Sequence, residues 1–138
     1  MKMKTINPQL AANTLRVLAA SAITKAKSGH PGIALGAADI MYELFANQMN
    51  FSPSNLKYPN RDRFVLSAGH GSSLLYATMI LCGYKSIKMK DLINFRQIDS
   101  KTAGHPEPEL LNNVEVSSGP LGQGIAMAVG MAIGQKKT

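Results

Sequence analysis

Tryptophan is missing from the 138 residues, cysteine occurs once, and aromatic side chains make up only 6%. A single thiol, Cys82, cannot build a disulfide framework, which suits a reducing, cytoplasmic setting. Acidic side chains are also scarce, 8 against 15 Lys and Arg, for a formal net charge of +7. That balance favours anionic partners such as phosphates. The excess is scattered: residues 1–63 carry eight basic and three acidic side chains, and residues 64–138 carry seven and five. The densest basic cluster, Lys85, Lys88 and Lys90, is too thin to follow a nucleic-acid backbone, so no nucleic-acid partner is expected. No run approaches the ~18 apolar residues of a membrane span, and no apolar signal core follows Met1-Lys2-Met3-Lys4. Neither a Walker loop, a Gly-x-Ser-x-Gly elbow nor a His-Glu-x-x-His helix occurs. What is present is 45% apolar and 17% charged residues, the balance of one ordinary globular domain over residues 1–138.

Asn7-Pro8 reads as a helix start, a capping side chain followed by a proline whose missing N–H is unneeded in the first turn. Ala11, Leu15, Leu18 and Ala22 then fall on one face of a helix over residues 9–27. Ser28-Gly29-His30-Pro31-Gly32 breaks it. Leu35, Ala38, Tyr42, Phe45 and Met49 predict one further helix over residues 35–49, and a loop with Pro53 and Pro59 follows to residue 63. Phe64-Val65-Leu66-Ser67 is a short apolar run of strand type, and Val114-Glu115-Val116 is a second. Ser72 is placed to cap a helix ending near Cys82, stopped by Gly83; Cys82 reads as core rather than nucleophile. Residues 88–95 predict a short helix and residues 97–113 a polar surface loop. After Gly119-Pro120-Leu121-Gly122, glycine and alanine recur at 122, 126, 130 and 134, a small-residue stripe that predicts a buried helix. Strands feeding loops that feed helices predict an α/β fold, helix-rich, with a parallel sheet flanked by helices.

All three histidines follow a glycine: Gly29-His30, Gly69-His70 and Gly104-His105. Glycine permits a tight turn or a close approach, and the prolines after His30 and His105 hold those residues out of the helical region. An imidazole fixed on a turn is a well-placed hydrogen-bond or proton donor; the plainer reading of Gly-His-Pro is a turn that ends a helix. Gly69-His70-Gly71-Ser72 lies between an expected strand and a helix, where an open parallel sheet takes ligands and a helix start favours anions. Gly119-Pro120-Leu121-Gly122-Gln123-Gly124 has the same setting, but Met127 stands where a dinucleotide fingerprint wants a small residue. Spacings of 40 and 35 residues between the histidines carry no zinc signature.

Taken in order, Ser28-Gly29-His30-Pro31-Gly32, Leu66-Ser67-Ala68-Gly69-His70-Gly71, Gly104-His105-Pro106-Glu107 and Gly119-Pro120-Leu121-Gly122-Gln123-Gly124-Ile125-Ala126 resemble four motifs of transketolase. Asn60-Arg61-Asp62-Arg63 agrees with the approach to the second. The resemblance covers nearly the whole chain. It implies part of a thiamine diphosphate-binding fold and transfer of a two-carbon ketol unit between sugar phosphates, with thiamine diphosphate and Mg2+ or another divalent metal as cofactors. It also implies a homodimer. By motif match, His70 contacts the cofactor diphosphate, Gly119, Pro120 and Leu121 line its ring pocket, and His30 and His105 face the substrate, hydrogen-bonding hydroxyls and assisting proton transfer. The chain differs from the family's frequent pattern at Lys101, Ala103 and Pro108-Glu109-Leu110. It stops before the family's Gly-Asp-Gly…Asn segment, so the metal ligands are expected outside this chain, and the chain alone is expected to be inactive. Deoxyxylulose-phosphate synthase is disfavoured because Pro31 stands where that family has leucine. Dihydroxyacetone synthase shares the motifs and remains an alternative, as does a non-catalytic piece completed by a separately encoded partner chain.

Overall fold

The computed structural model describes residues 7–136. Helix α1 spans Pro8–Ala26 and starts as the sequence requires, with Asn7 Oδ1 accepting from the Leu10 N–H at 3.2 Å. It ends at Lys27, whose left-handed backbone (φ 51°) turns its N–H back onto the Ile23 and Thr24 carbonyls. The buried stripe is Ala12, Leu15, Ala19 and Ala22, rotated from the expected one. Ala11 and Leu18 are only half-buried, because small alanines let α1 lie close against its neighbours while Leu18 reaches in from the flank.

The single helix expected over residues 35–49 is three pieces: α2 (Pro31–Gly36), α3 (Ala38–Glu43) and a π-helical turn, Leu44–Gln48. Ala34, Ala38, Met41 and Phe45 keep one helical spacing across the break at Ala37 and face the core, while Leu35 is exposed. The π turn closes through Met49 N–H to the Leu44 carbonyl at 2.8 Å. Glu43 fastens it by accepting from Asn47 and Gln48, both at 2.7 Å.

Helix α4 (Ser72–Leu81) is the centre of the molecule. Every residue from Ser72 to Met79 is buried, and α1, α2, α3 and α5 (Met89–Ile93) all pack against it. Burial on all sides explains why α4 lacks an amphipathic pattern. Ser72 does not cap α4. A 3-10 turn, Gly69–Gly71, leads directly into the helix, and the Ser72 hydroxyl donates to the Gly104 carbonyl at 2.7 Å instead. The core closes around Tyr76, Phe95, Leu74, Ile87 and Leu111.

Among the described residues no strand forms. Segments 64–67 and 114–118 do meet, but through side chains: Ser118 Oγ donates to the Leu66 carbonyl at 2.7 Å. Arg61 grips Glu115 in a two-pronged ion pair, with Arg63 at 3.4 Å. A ladder requires aligned backbone N–H and C=O groups, and hydroxyl and guanidinium groups make the connection here. Residues 97–113 are not a surface loop either, since Thr102, Pro106 and Leu111 are buried. The last helix, α6 (Gln123–Gln135), is also not buried. Of its described residues only Gly124 is, while Ile125, Val129 and Ile133 are each more than half exposed. Among the described residues no helix is long and apolar enough to cross a membrane.

Candidate active site

Three turns, far apart in sequence, converge. His30 occupies the position before α2 in extended backbone (φ −120°, ψ 102°), with Pro31 in the first turn. Its side chain makes no cap hydrogen bond, so Gly-His-Pro here opens a helix and leaves the imidazole for other partners. That ring meets His70 edge-on, centroids 5.1 Å apart at 60°. His70 sits on the 3-10 turn against the start of α4. Ile33 of α2 seals this contact; a Cβ on Gly71 would fall 2.9 Å from its Cγ2.

Close backbone contact brings in the third and fourth motifs. A Cβ on Gly69 would lie 2.5 Å from the Ser118 carbonyl oxygen and 2.8 Å from the Gly119 nitrogen. Two main chains therefore touch where the His70 turn passes the Gly119 turn, which no larger residue permits. His105 lies over Gly119, its Cδ2 3.1 Å from where a Cβ would stand. Gly122 takes a left-handed turn (φ 86°) into α6. Gly124 there packs so tightly on Ser67 that a Cβ would be 2.5 Å from the Ser67 Cα. Ser67 Oγ accepts from the Ile125 N–H at 3.0 Å, capping α6 from a distant segment. Pro120 and Leu121 are exposed beside this turn, Leu121 at 76%.

The His105 loop is held from below by α4. Besides Ser72, the Tyr76 hydroxyl donates to the Ala103 carbonyl at 3.0 Å and lies 3.4 Å from that of His105. Burial pushes the Tyr76 phenol well above its ordinary pKa, so it stays a proton donor. Loss of solvent lowers the His105 pKa, and the charges of Arg96, His30 and His70 lower it further, while Glu107 opposes them. His105 is exposed overall, and its Cδ2 and Cγ lie against Gly119. His30 touches His70, the His70 turn meets Gly119, and His105 lies over Gly119, so the three imidazoles share one neighbourhood. Cys82, at the end of α4, has its thiol pushed up to about 11 by burial, as a core residue should.

The family model described as transketolase, thiamine diphosphate binding domain, matches residues 7–138. This chain belongs to the transketolase family. Transketolase from Geobacillus stearothermophilus is 56% identical over 128 residues, 93% of this chain, and that from Nostoc sp. is 54% identical over 127. A solved Pichia stipitis transketolase in complex with sedoheptulose-7-phosphate superposes with a TM-score of 0.89 at 48% identity over 93% of this chain. The Leishmania mexicana transketolase gives 0.90 at 45% over 94%. In each case this chain spans 19% of the relative's length.

The chemistry of the donor set fits one end of thiamine diphosphate. An imidazole on a glycine turn at the start of a buried helix suits a diphosphate, and the exposed Leu121 beside Gly119 suits an apolar ring. It does not fit the metal, because no group of three or more His, Cys, Asp or Glu among the described residues could hold one. Arg96 and Tyr76 belong to the site's construction although no motif drew attention to them. The only signal in the sequence was indirect: Gly104 needs a neighbour that fills the space above it.

Proposed function

We propose that this chain supplies the substrate-facing histidines and one wall of the cofactor pocket of a transketolase. The activity transfers a two-carbon ketol unit from a ketose phosphate to an aldose phosphate. The observation that carries the reading is the contact of His30 with His70 together with the meeting of the His70 turn and Gly119, over which His105 lies. Thiamine diphosphate, when bound, supplies the carbon–carbon bond chemistry. His70 donates to the diphosphate, and Gly119, Pro120 and Leu121 border the ring. His30 and His105 hydrogen-bond sugar hydroxyls and hold or pass protons there. Neutral His105 can both donate and accept, which polyol substrates require.

The exposed apolar residues of α6, Ile125, Val129 and Ile133, support assembly with further polypeptide, in a homodimer of the cytoplasmic enzyme or through a separately encoded partner chain. We propose that segments 64–67 and 114–116 gain their parallel ladder in that assembly. The test replaces the matching fifth of the Geobacillus stearothermophilus transketolase with this chain and measures ketol transfer between sugar phosphates. Turnover by the chimera is the expected result. A folded chimera that binds thiamine diphosphate but transfers no ketol unit overturns the reading.

A further inference from the structure

Two of the Gly-His turns are tied together by a residue outside every motif. Arg96 Nη1 donates to Ser28 Oγ at 2.7 Å, across 68 positions of sequence. The same guanidinium lies flat on Gly104, where a Cβ would come within 2.8 Å of Nε and 2.9 Å of Nη2. Phe95 does the matching work on the other turn, its Cε1 3.3 Å from where a Cβ on Gly29 would stand, and the Arg96 guanidinium carbon rides 5.8 Å from the Phe95 ring centre. One dipeptide therefore touches the glycine before His30 and the glycine before His105.

The backbone at Arg96 is committed to this arrangement. Its φ is +60°, a left-handed conformation unusual for a long side chain. Its N–H donates to the Thr102 carbonyl at 2.9 Å, and Thr102 is fully buried with its hydroxyl on the Asp91 carbonyl at 2.7 Å. The Nε of Arg96 is buried without a hydrogen-bond partner among the described residues. Leaving that donor unpaired costs free energy, which the other contacts of the guanidinium must offset.

We propose that Arg96 is a positioning residue, a strap that joins the Ser28–His30 turn to the Gly104–His105 turn and sets the spacing of the two imidazoles. Its purpose rests on the ketol-transfer reading above, since two substrate-facing imidazoles act together only at a fixed separation. The strap itself needs no substrate to be seen. It also places a permanent cation beside His105. The groups that face that ring are Arg96, His30, His70 and Glu107, together with the uncharged backbone of Gly119.

The experiment uses the 138-residue chain with Ser28→Ala, Arg96→Lys, Arg96→Met and the double variant Ser28→Ala/Arg96→Lys, folding being checked by circular dichroism. Amide and imidazole resonances are the readout. Ser28→Ala is expected to shift the Gly29 and Gly104 amides together, with little added by Arg96→Lys in the double variant, as for two halves of one link. Arg96→Lys keeps the cation and lacks Nε, so the His105 titration is expected to stay depressed, whereas in Arg96→Met it moves toward the ordinary histidine value. A folded Ser28→Ala chain in which Gly104 does not move overturns the strap, and so does a folded Arg96→Met chain whose His105 titrates unchanged. If Arg96→Met fails to fold, Ser28→Ala, an exposed hydroxyl deletion, still decides the question. In the chimera, Arg96→Lys is expected to reduce kcat/KM by about 10- to 100-fold, the cost of misplaced groups. Coupled turns in a chimera that transfers no ketol unit would overturn the functional reading alone; uncoupled turns in an active chimera would overturn the strap alone.

Discussion

His30 and His70 touch edge to face, ring centroids 5.1 Å apart, although 40 residues separate them. The contact exists because α2 begins at Pro31 and sends Ile33 onto Gly71, folding one turn over the other. Proline fixes the backbone at the entry, and glycine removes the side chain that would hold the turns apart. On the roles proposed above, a substrate-facing group and a diphosphate-facing group are thereby neighbours.

Removing the His70 imidazole should weaken cofactor binding more than turnover. A hydrogen bond to a charged group contributes about 1.5–3 kcal/mol, so His70→Ala in the chimera is expected to raise the thiamine diphosphate concentration for half-saturation about 10- to 100-fold. At saturating cofactor kcat should change much less. Titrating activity against cofactor checks this, and an unchanged half-saturation would sink the assignment of His70.

Acid should weaken the fold through His105. Its folded pKa is lowered, chiefly by lost solvent and then by Arg96, His30 and His70, so the unfolded chain binds its proton more readily. Stability is then fully present above the unfolded value near 6.5 and is lost as pH falls through the lower folded value. Urea midpoints measured downward from pH 7.5 should decline below about 6.5, and His105→Gln should flatten that decline. Parallel curves for the two proteins would contradict the argument.

Glycines that look alike in sequence should respond oppositely to alanine. On Gly69 a Cβ meets the Ser118 carbonyl oxygen at 2.5 Å, whereas on Gly130 it meets nothing within 4 Å. Gly69→Ala is expected to destabilise this chain by about 1–3 kcal/mol or more, since backbone must move. Gly130→Ala, in the exposed interior of α6, should stabilise it by about 1 kcal/mol through helix propensity. Chemical denaturation separates the two, and equal midpoints would refute the packing of the Gly69 turn.

Local rules were legible in the sequence and long-range ones were not. Asn7-Pro8 announced α1, and Gly83, at φ 82°, marked the end of α4. The four motifs named the turns that meet. Gly36, a poor helix former, stands just before the break at Ala37, but the apolar spacing over residues 35–49 masked that signal. The stripe at 122, 126, 130 and 134 predicted a buried helix, yet among the described residues of α6 only Gly124 is buried. Spacing reports what a face can accept and is silent on what covers it. Arg96 was invisible for a related reason: its partners, Ser28 and Gly104, lie 68 and 8 positions away in opposite directions.

The isolated chain should bind thiamine diphosphate poorly. A diphosphate carries several negative charges, and a divalent cation is the usual means of neutralising them. The described residues offer His70 and the start of α4 but no cluster able to hold a metal. A helix terminus contributes about 0.3–1 kcal/mol at exposed sites, and a hydrogen bond to a charged group about 1.5–3 kcal/mol. Together these reach roughly 4 kcal/mol, which corresponds to a Kd near 1 mM even before the entropy of immobilising the ligand is subtracted. Calorimetry of the 138-residue chain with thiamine diphosphate and Mg2+ should show no saturation at low-micromolar concentration. The same cofactor added to the chimera, where the remaining four-fifths of a transketolase is present, should saturate. A low-micromolar isotherm for the chain alone would mean that these turns hold the diphosphate without help from a metal site, and the division of labour argued from the donor set would be wrong.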